Sequence, residues 1–141
     1  MQPLIVLVTV FLLLVLPSGW WTALRIALAA MFVLGASAHW GKRRADLIRM
    51  VPTLLPRPDL LVTITGICEI LGAVGLLIPR TAPVAALGLS LLLVVLFPAN
   101  IRAAKEAITI AGRPATPLPA RTAIQIVFLT ATIAVIVGAR T

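Results

Sequence analysis

The sequence has few charged and few reactive side chains for its length. Its 141 residues include one cysteine, no tyrosine and four acidic residues, and only 11% are charged. A single cysteine, Cys68, excludes an intrachain disulfide, a paired-cysteine redox motif and a metal site with several thiolates. No hydrolase, zinc-protease, nucleotide or dinucleotide motif is present. The sequence therefore offers no catalytic residues and no metal ligands.

Apolar residues, in contrast, are abundant. They make up 61% of the chain, and the mean hydropathy is +1.14. Ordinary globular domains are roughly half apolar and about a quarter charged. A soluble domain of this size cannot bury so much apolar surface, and such a composition does not suit a disordered chain either. We therefore expect an all-α integral membrane protein, with the bilayer as its solvent.

Five apolar segments, separated by proline, glycine and basic residues, predict a single membrane domain over residues 1–141. The predicted helices span approximately 3–17, 20–40, 59–79, 82–110 with a kink at Pro98, and 117–138. The connections 41–58 and 100–116 are long. A short amphipathic piece is expected at 46–51. Beyond Pro98, the spacing of Ile101, Ala104 and Ile108 predicts a helix that continues along the membrane surface.

The first segment is shorter than the others. Leu4 to Leu16 rise about 20 Å as a helix, whereas the hydrocarbon core is roughly 30 Å thick. A signal peptide is the alternative, but no lysine or arginine precedes the segment and no A-x-A site follows it. We expect an N-terminal transmembrane helix that adds to a core of four.

The net charge of +8 arises from 12 basic and four acidic residues. Five spans would place both long connections on one face, together with Lys42, Arg43, Arg44, Arg49, Arg57, Arg102, Lys105, Arg113 and Arg121. The opposite face would hold Arg80 and Arg140. By the positive-inside rule, the N-terminus and the basic connections are cytoplasmic and the C-terminus lies outside the cell membrane. Attraction to anionic lipid explains the excess without nucleic acid.

Glu69 is the most informative polar residue. It lies ten residues before Pro79, about 15 Å from the outer end of its helix and thus near the midplane. An ionisable group there must face the bundle interior and find a partner. Arg25 is the expected partner, and the pair is either a structural tie or a ligand site. The Gly72-x-x-Gly75 spacing predicts a closely packed neighbouring helix.

His39 and Asn100 complete the candidate ligand-binding residues. His39 lies at the cytoplasmic end of its helix and is expected not to reach Glu69; Asp46, Asn100 or a lipid phosphate are its expected partners. It is either an interfacial histidine bonded to a loop or a pH-sensitive ligand. Asn100 follows Pro98 by two residues and is expected to bond carbonyls that the proline frees.

With these residues placed, the chain resembles the DoxX-like family of small membrane proteins between Gly35 and Ala103. The resemblance lies in Ala38-His39, Met50-Val51-Pro52, Leu55-Pro56-Arg57-Pro58, the stretch Thr65 to Gly72, Leu77-Ile78-Pro79, and Phe97-Pro98-Ala99-Asn100. It implies a four-helix core. Some relatives are subunits of membrane oxidoreductases, including thiosulfate–quinone systems, and animal relatives assist receptor assembly. This chain has Trp40 where relatives have phenylalanine, and it lacks the cysteine pair of redox-active relatives.

Three functions are compatible with this sequence. The first is a non-catalytic accessory or assembly subunit that binds a protein partner or a second copy of itself. The second is a binder or carrier of a quinone or lipid in an intramembrane pocket at Glu69 and Arg25. The third is a membrane oxidoreductase supplied with a quinone. We rank them in this order because the chain has so few reactive groups.

Overall fold

A computed structural model describes residues 2–110 and 112–139 of the chain. Six helices and one short hairpin follow in the order α1 (Gln2–Ser18), α2 (Trp20–Ser37), α3 (Arg44–Met50), α4 (Pro58–Leu77), α5 (Ala82–Lys105), β1 (Thr109–Ile110), β2 (Arg113–Pro114) and α6 (Leu118–Gly138). The predicted all-α helical bundle is confirmed. Prolines lie in the first turns of α4, α5 and α6, where a missing N–H breaks no helical hydrogen bond.

Four helices are long and apolar enough to cross a membrane. They are α2, α4, α5 and α6, with 18, 20, 24 and 21 residues. Helix α1 is equally apolar but has 17 residues. At 1.5 Å per residue, α1 is about 25 Å long, whereas the four longer helices are about 27–36 Å long, against a hydrocarbon core of roughly 30 Å.

Small residues form much of the interface between the helices. Helix α1 packs on α2, α2 on α4, α4 on α5, and α5 on α6, which also touches α2. The fully buried positions include many alanines, namely Ala23, Ala27, Ala36, Ala73, Ala82, Ala86 and Ala103. Many leucines, isoleucines and valines are instead exposed along the outer faces of the helices. This pattern is typical of a membrane bundle, in which small residues let helices approach and large ones face lipid.

The predicted close approach at the Gly72-x-x-Gly75 spacing is confirmed, and the neighbour is α5. A Cβ on Gly72 would lie 2.5 Å from the Leu89 side chain, and one on Gly75 would lie 2.7 Å from the Ala85 Cβ. The connection between the two helices is equally tight, because the Thr81 hydroxyl donates to the Gly75 carbonyl at 2.8 Å. Helices α4 and α5 therefore pack as an antiparallel hairpin.

Two hydrogen bonds fix the register of α2 against α4. The Arg25 side chain donates to the Leu76 carbonyl, and the His39 ring donates to the Val62 carbonyl. Fourteen residues separate the two donors, and fourteen separate the two acceptors. The two helices are therefore antiparallel and in step, with Arg25 level with the end of α4.

Most of the basic residues lie at one end of the bundle, which we call the basic end. It contains Lys42, Arg43, Arg44, Arg49, Arg57, Arg102, Lys105, Arg113 and Arg121. Side-chain hydrogen bonds join its segments: Arg43 to Gln2, Arg44 to Thr63, Arg49 to Thr109, and Arg102 to Val51. Arg80 lies at the opposite end, between α4 and α5. Arg140, predicted for that face, is outside the described residues.

The predicted continuation of the fourth long helix to residue 110 is wrong. Helix α5 ends at Lys105, and the segment after it forms the β1–β2 hairpin. Ala107 has a left-handed backbone, with φ of 48°, and the Ile108 N–H returns to the Ala103 carbonyl at 3.1 Å. This is a Schellman motif, in which the left-handed position, here Ala107, is usually a glycine. Helix α3 corresponds to the predicted amphipathic piece at 46–51, but it starts two residues earlier and ends one residue earlier.

Candidate functional site

A cavity of about 460 Å³ lies near the basic end of the bundle, between α2, α4, α5 and α6. Helix α3, the start of α1 and the hairpin residue Ile110 also contribute to its wall. Its lining is mostly apolar; the polar side chains on it are those of His39, Thr65, Glu69, Asn100, Thr116, Arg121 and Gln125. Small-molecule sites in proteins typically have volumes of about 300–1,000 Å³ and this mixture of lining residues.

His39 and Glu69 form a buried pair on one wall of this cavity. The His39 Nε2 atom lies 3.5 Å from the Glu69 Oε1 atom, and 7% and 8% of the two residues are exposed. The expectation that His39 does not reach Glu69 is therefore wrong. The register of α2 against α4 explains the error, because His39 lies level with Val62 and the glutamate side chain points toward the N-terminus of α4.

The tautomer of His39 follows from its second contact. The Nδ1 atom lies 2.6 Å from the Val62 carbonyl oxygen, which only accepts hydrogen bonds, so Nδ1 carries a proton. If the ring is neutral, Nε2 carries a lone pair that faces the carboxyl oxygen of Glu69. A favourable contact needs one proton between Nε2 and Oε1, either on the imidazole or on the carboxyl group. In both forms the pair has no net charge.

Two glycines make room for this pair. A Cβ on Gly66 of α4 would lie 2.7 Å from the His39 ring, and one on Gly35 of α2 would lie 3.2 Å from Glu69 Oε2. The first distance is shorter than any normal contact. Gly66 is therefore needed for the His39 ring to reach the Val62 carbonyl.

The second carboxyl oxygen of Glu69 has no partner. Oε2 is buried and accepts no hydrogen bond from any described residue. A buried polar atom without a partner costs about 1–3 kcal/mol, so native structures rarely leave one unless the site has a role. This oxygen distinguishes the His39–Glu69 pair from the other polar contacts of the bundle.

His39 lies two residues beyond the end of α2 and so outside the membrane-spanning segment. Burial lowers its pKa, but the hydrogen bonds to Glu69 and to the Val62 carbonyl and the charge of Glu69 together outweigh this effect. Arg44, whose guanidinium donates to the His39 carbonyl at 2.8 Å, acts weakly in the lowering direction. The net result is a pKa raised above the ordinary value of 6.5.

The predicted pairing of Arg25 with Glu69 is wrong. Arg25 is 4% exposed and donates from Nε to the Leu76 carbonyl at 2.9 Å and from Nη2 to the Leu77 carbonyl at 3.0 Å. Its guanidinium also lies 4.4 Å from the centre of the Trp21 ring. The last carbonyls of a helix lack helical donors and carry the negative end of its dipole, so they attract a cation. Arg25 thus caps α4, two turns from Glu69.

Asn100 lines the cavity on the wall opposite α2, but its bonds differ from those predicted. Its Oδ1 atom accepts from Arg121 Nη1 at 2.6 Å, and its Nδ2 atom lies 3.5 Å from the Leu96 carbonyl. Pro98 frees the carbonyl of Val94, four residues before it, and not that of Leu96. The predicted repair of the proline break is therefore wrong, and Asn100 instead joins α5 to α6.

Arg121 and Gln125 are site residues that the sequence analysis did not single out. Arg121 also donates from Nε to the Thr116 carbonyl at 3.0 Å, and Gln125 donates to the Leu93 carbonyl at 2.7 Å. Further along the same helix, Thr132 accepts from Ser90 of α5 at 2.7 Å. The spacings of four and seven place these polar residues on one stripe of an apolar helix. In the sequence, this periodicity is the pattern that indicates that these polar side chains face the bundle interior.

The fold and the site together define an all-α bundle with four candidate membrane-spanning helices and an internal cavity with a buried histidine–glutamate pair. Residues 28–140 match the family described as a domain of unknown function, DUF8561. The chain belongs to this family, and the match covers the second half of α2 and every later element of the chain. No curated protein and no solved structure matches the chain.

Proposed function

We propose that this protein is a membrane-embedded binding protein for a small lipophilic molecule, such as a lipid or a quinone. The observation that carries the proposal is the cavity of about 460 Å³ beside Glu69, whose Oε2 atom is buried without a partner. An apolar wall with a few convergent polar groups suits a lipophilic ligand that bears at least one polar atom. The polar side chains of the wall, among them His39, Glu69 and Arg121 but not Arg25, provide that contact.

The membrane supplies such ligands directly. The four helices that are long and apolar enough to span a membrane surround the cavity, which supports a position within or at the edge of the bilayer, where lipids and quinones concentrate. We propose that the basic end faces the cytoplasm, as the positive-inside rule favours for its lysines and arginines. An accessory role beside a partner protein, a redox role and membership of the DoxX-like family stay predictions.

A variant that fills the cavity tests the proposal. Ala99 lines the cavity on α5, so Ala99→Phe places a ring inside it, whereas Ala123 is exposed on α6 and Ala123→Phe serves as the matched control. The probes are radiolabelled oleyl alcohol and decylubiquinone. Saturable binding is measured by scintillation proximity with the protein in phosphatidylcholine nanodiscs, after subtraction of the signal from empty nanodiscs.

We expect saturable binding of at least one probe to the wild-type protein and to Ala123→Phe. We expect Ala99→Phe to weaken it at least tenfold, because the ring occupies the ligand's space. Thermal unfolding of all three proteins checks that each is folded. The proposal is wrong if neither probe binds saturably, or if both variants bind as the wild-type protein does.

A further inference from the structure

We infer that the ligand of this cavity is an anionic amphiphile with its acid group on Arg121 and its hydrocarbon tail along the apolar wall. This inference rests on the proposed function and adds the chemical class of the ligand. The acid group is a carboxylate or a phosphate, which a guanidinium binds through the same pair of parallel hydrogen bonds.

Arg121 has no acidic partner among the described residues. Its Nε and Nη1 atoms donate to neutral oxygens, the Thr116 carbonyl and the Asn100 side chain, and no described carboxylate lies within 4.0 Å of it. The residue is partly buried. A partly buried charge without a counter-charge is unfavourable, and an anion at this position would remove the imbalance.

The charges on the cavity wall lead to the same conclusion. Among the described residues of the wall, His39, Glu69 and Arg121 carry ionisable side chains. When one proton lies between His39 and Glu69, that pair is neutral and Arg121 leaves the cavity with a single positive charge. One negative charge on the ligand therefore balances the site.

The position of Arg121 in its helix also favours an anion. It is the fourth residue of α6, and the residue that precedes this helix, Pro117, provides no side-chain cap. The positive end of the α6 dipole thus lies beside the guanidinium. From there the wall continues through Ile124 and Phe128 of the same helix and Leu93 of α5, which offer an apolar path for a tail.

Three probes with the same tail and different head groups test this inference: oleyl alcohol, oleate and oleyl phosphate. We expect the wild-type protein in phosphatidylcholine nanodiscs to bind oleate or oleyl phosphate at least tenfold more tightly than oleyl alcohol. That ratio corresponds to about one charge-assisted hydrogen bond. Whichever acid binds more tightly identifies the head group as a carboxylate or a phosphate.

Arg121→Gln should remove this preference without changing the binding of oleyl alcohol, and Arg121→Lys should restore part of it. Arg113→Gln is the matched control, because it removes an exposed charge from the same end and does not line the cavity. Equal binding of the three probes to the wild-type protein overturns the inference but leaves the proposed function intact. The inference is also overturned if Arg121→Gln and Arg113→Gln lose the preference for the acidic probes equally, since only surface charge would then matter.

Discussion

Two side chains join α4 to α2 and to the residues directly after α2, and each donates to carbonyl oxygens of α4. Near the end of α4, Arg25 donates to two terminal carbonyls and stacks on Trp21. Near its start, His39 donates to one carbonyl and faces Glu69, whose Oε2 has no partner. Among the described residues, the first contact leaves no buried side-chain polar atom without a hydrogen bond, whereas the second leaves Glu69 Oε2.

This difference separates a structural contact from a candidate site. A buried polar group with all its hydrogen bonds made holds the helices in register, and nothing more is required of it. The His39 contact also holds the register, but it leaves a buried carboxyl oxygen unpaired beside a cavity. The comparison predicts that the two ends respond differently to mutation: loss of the first should affect stability alone, and loss of the second should affect stability and binding.

The largest expected effect is at the satisfied end. Arg25→Ala leaves the Leu76 and Leu77 carbonyls without donors, so we expect the free energy of unfolding to fall by about 3 kcal/mol. The free energy of unfolding should fall by less in Arg25→Lys, because lysine retains one charged donor. Denaturation in detergent micelles measures both. Because Arg25 does not line the cavity, probe affinity of the folded protein should be unchanged, and a loss of affinity would contradict the distinction between the ends.

A smaller effect is expected when Gly66 becomes alanine. The added methyl group would overlap the His39 ring, so we expect Gly66→Ala to lower the free energy of unfolding by about 2 kcal/mol and to weaken probe binding. Gly88→Ala is the control, because no atom lies within 4 Å of its Cβ position. It should raise stability by up to about 1 kcal/mol through helix propensity. Similar effects of both substitutions would show that His39 does not pack on Gly66.

The smallest effect is the pH dependence of the unsatisfied end. Since the pKa of His39 is raised on folding, its protonation stabilises the folded chain fully below pH 6.5, the ordinary value, and this contribution is lost as pH rises through the folded-state pKa. We expect the unfolding temperature to fall over that interval. In Glu69→Gln the fall should be smaller, because the carboxylate that favours the imidazolium is gone. An unchanged pH profile in this variant would argue against the pair.

The sequence was sufficient to predict the apolar helices and the basic end, because hydropathy and charge placement depend on composition along the chain. It was not sufficient for the partners of Glu69. Counting residues from predicted helix ends placed Arg25 nearer to Glu69 than His39. The actual register depends on which small residues pack together, and Gly35 and Gly66 decide it from opposite helices.

Two other differences have the same origin. Helix α5 ends at Lys105, and the left-handed residue beyond it is Ala107, a residue type that carries no helix-stop preference, so no pattern marked the hairpin that follows. Arg121 was counted among the surface charges, although the structure places it on the cavity wall beside Asn100. In each case the tertiary environment, rather than the local sequence, determines the role of the residue.

The Val62 carbonyl has a consequence for the electric field inside the bundle. By holding the Nδ1 proton of His39, it leaves Nε2, 3.5 Å from Oε1, as the ring nitrogen that faces Glu69. A proton that moves between these two atoms converts an ion pair into two uncharged groups, which removes a strong local dipole while the total charge stays constant. A bilayer opposes changes in total charge far more than such a rearrangement, so the cavity wall can alter its polarity at low energetic cost.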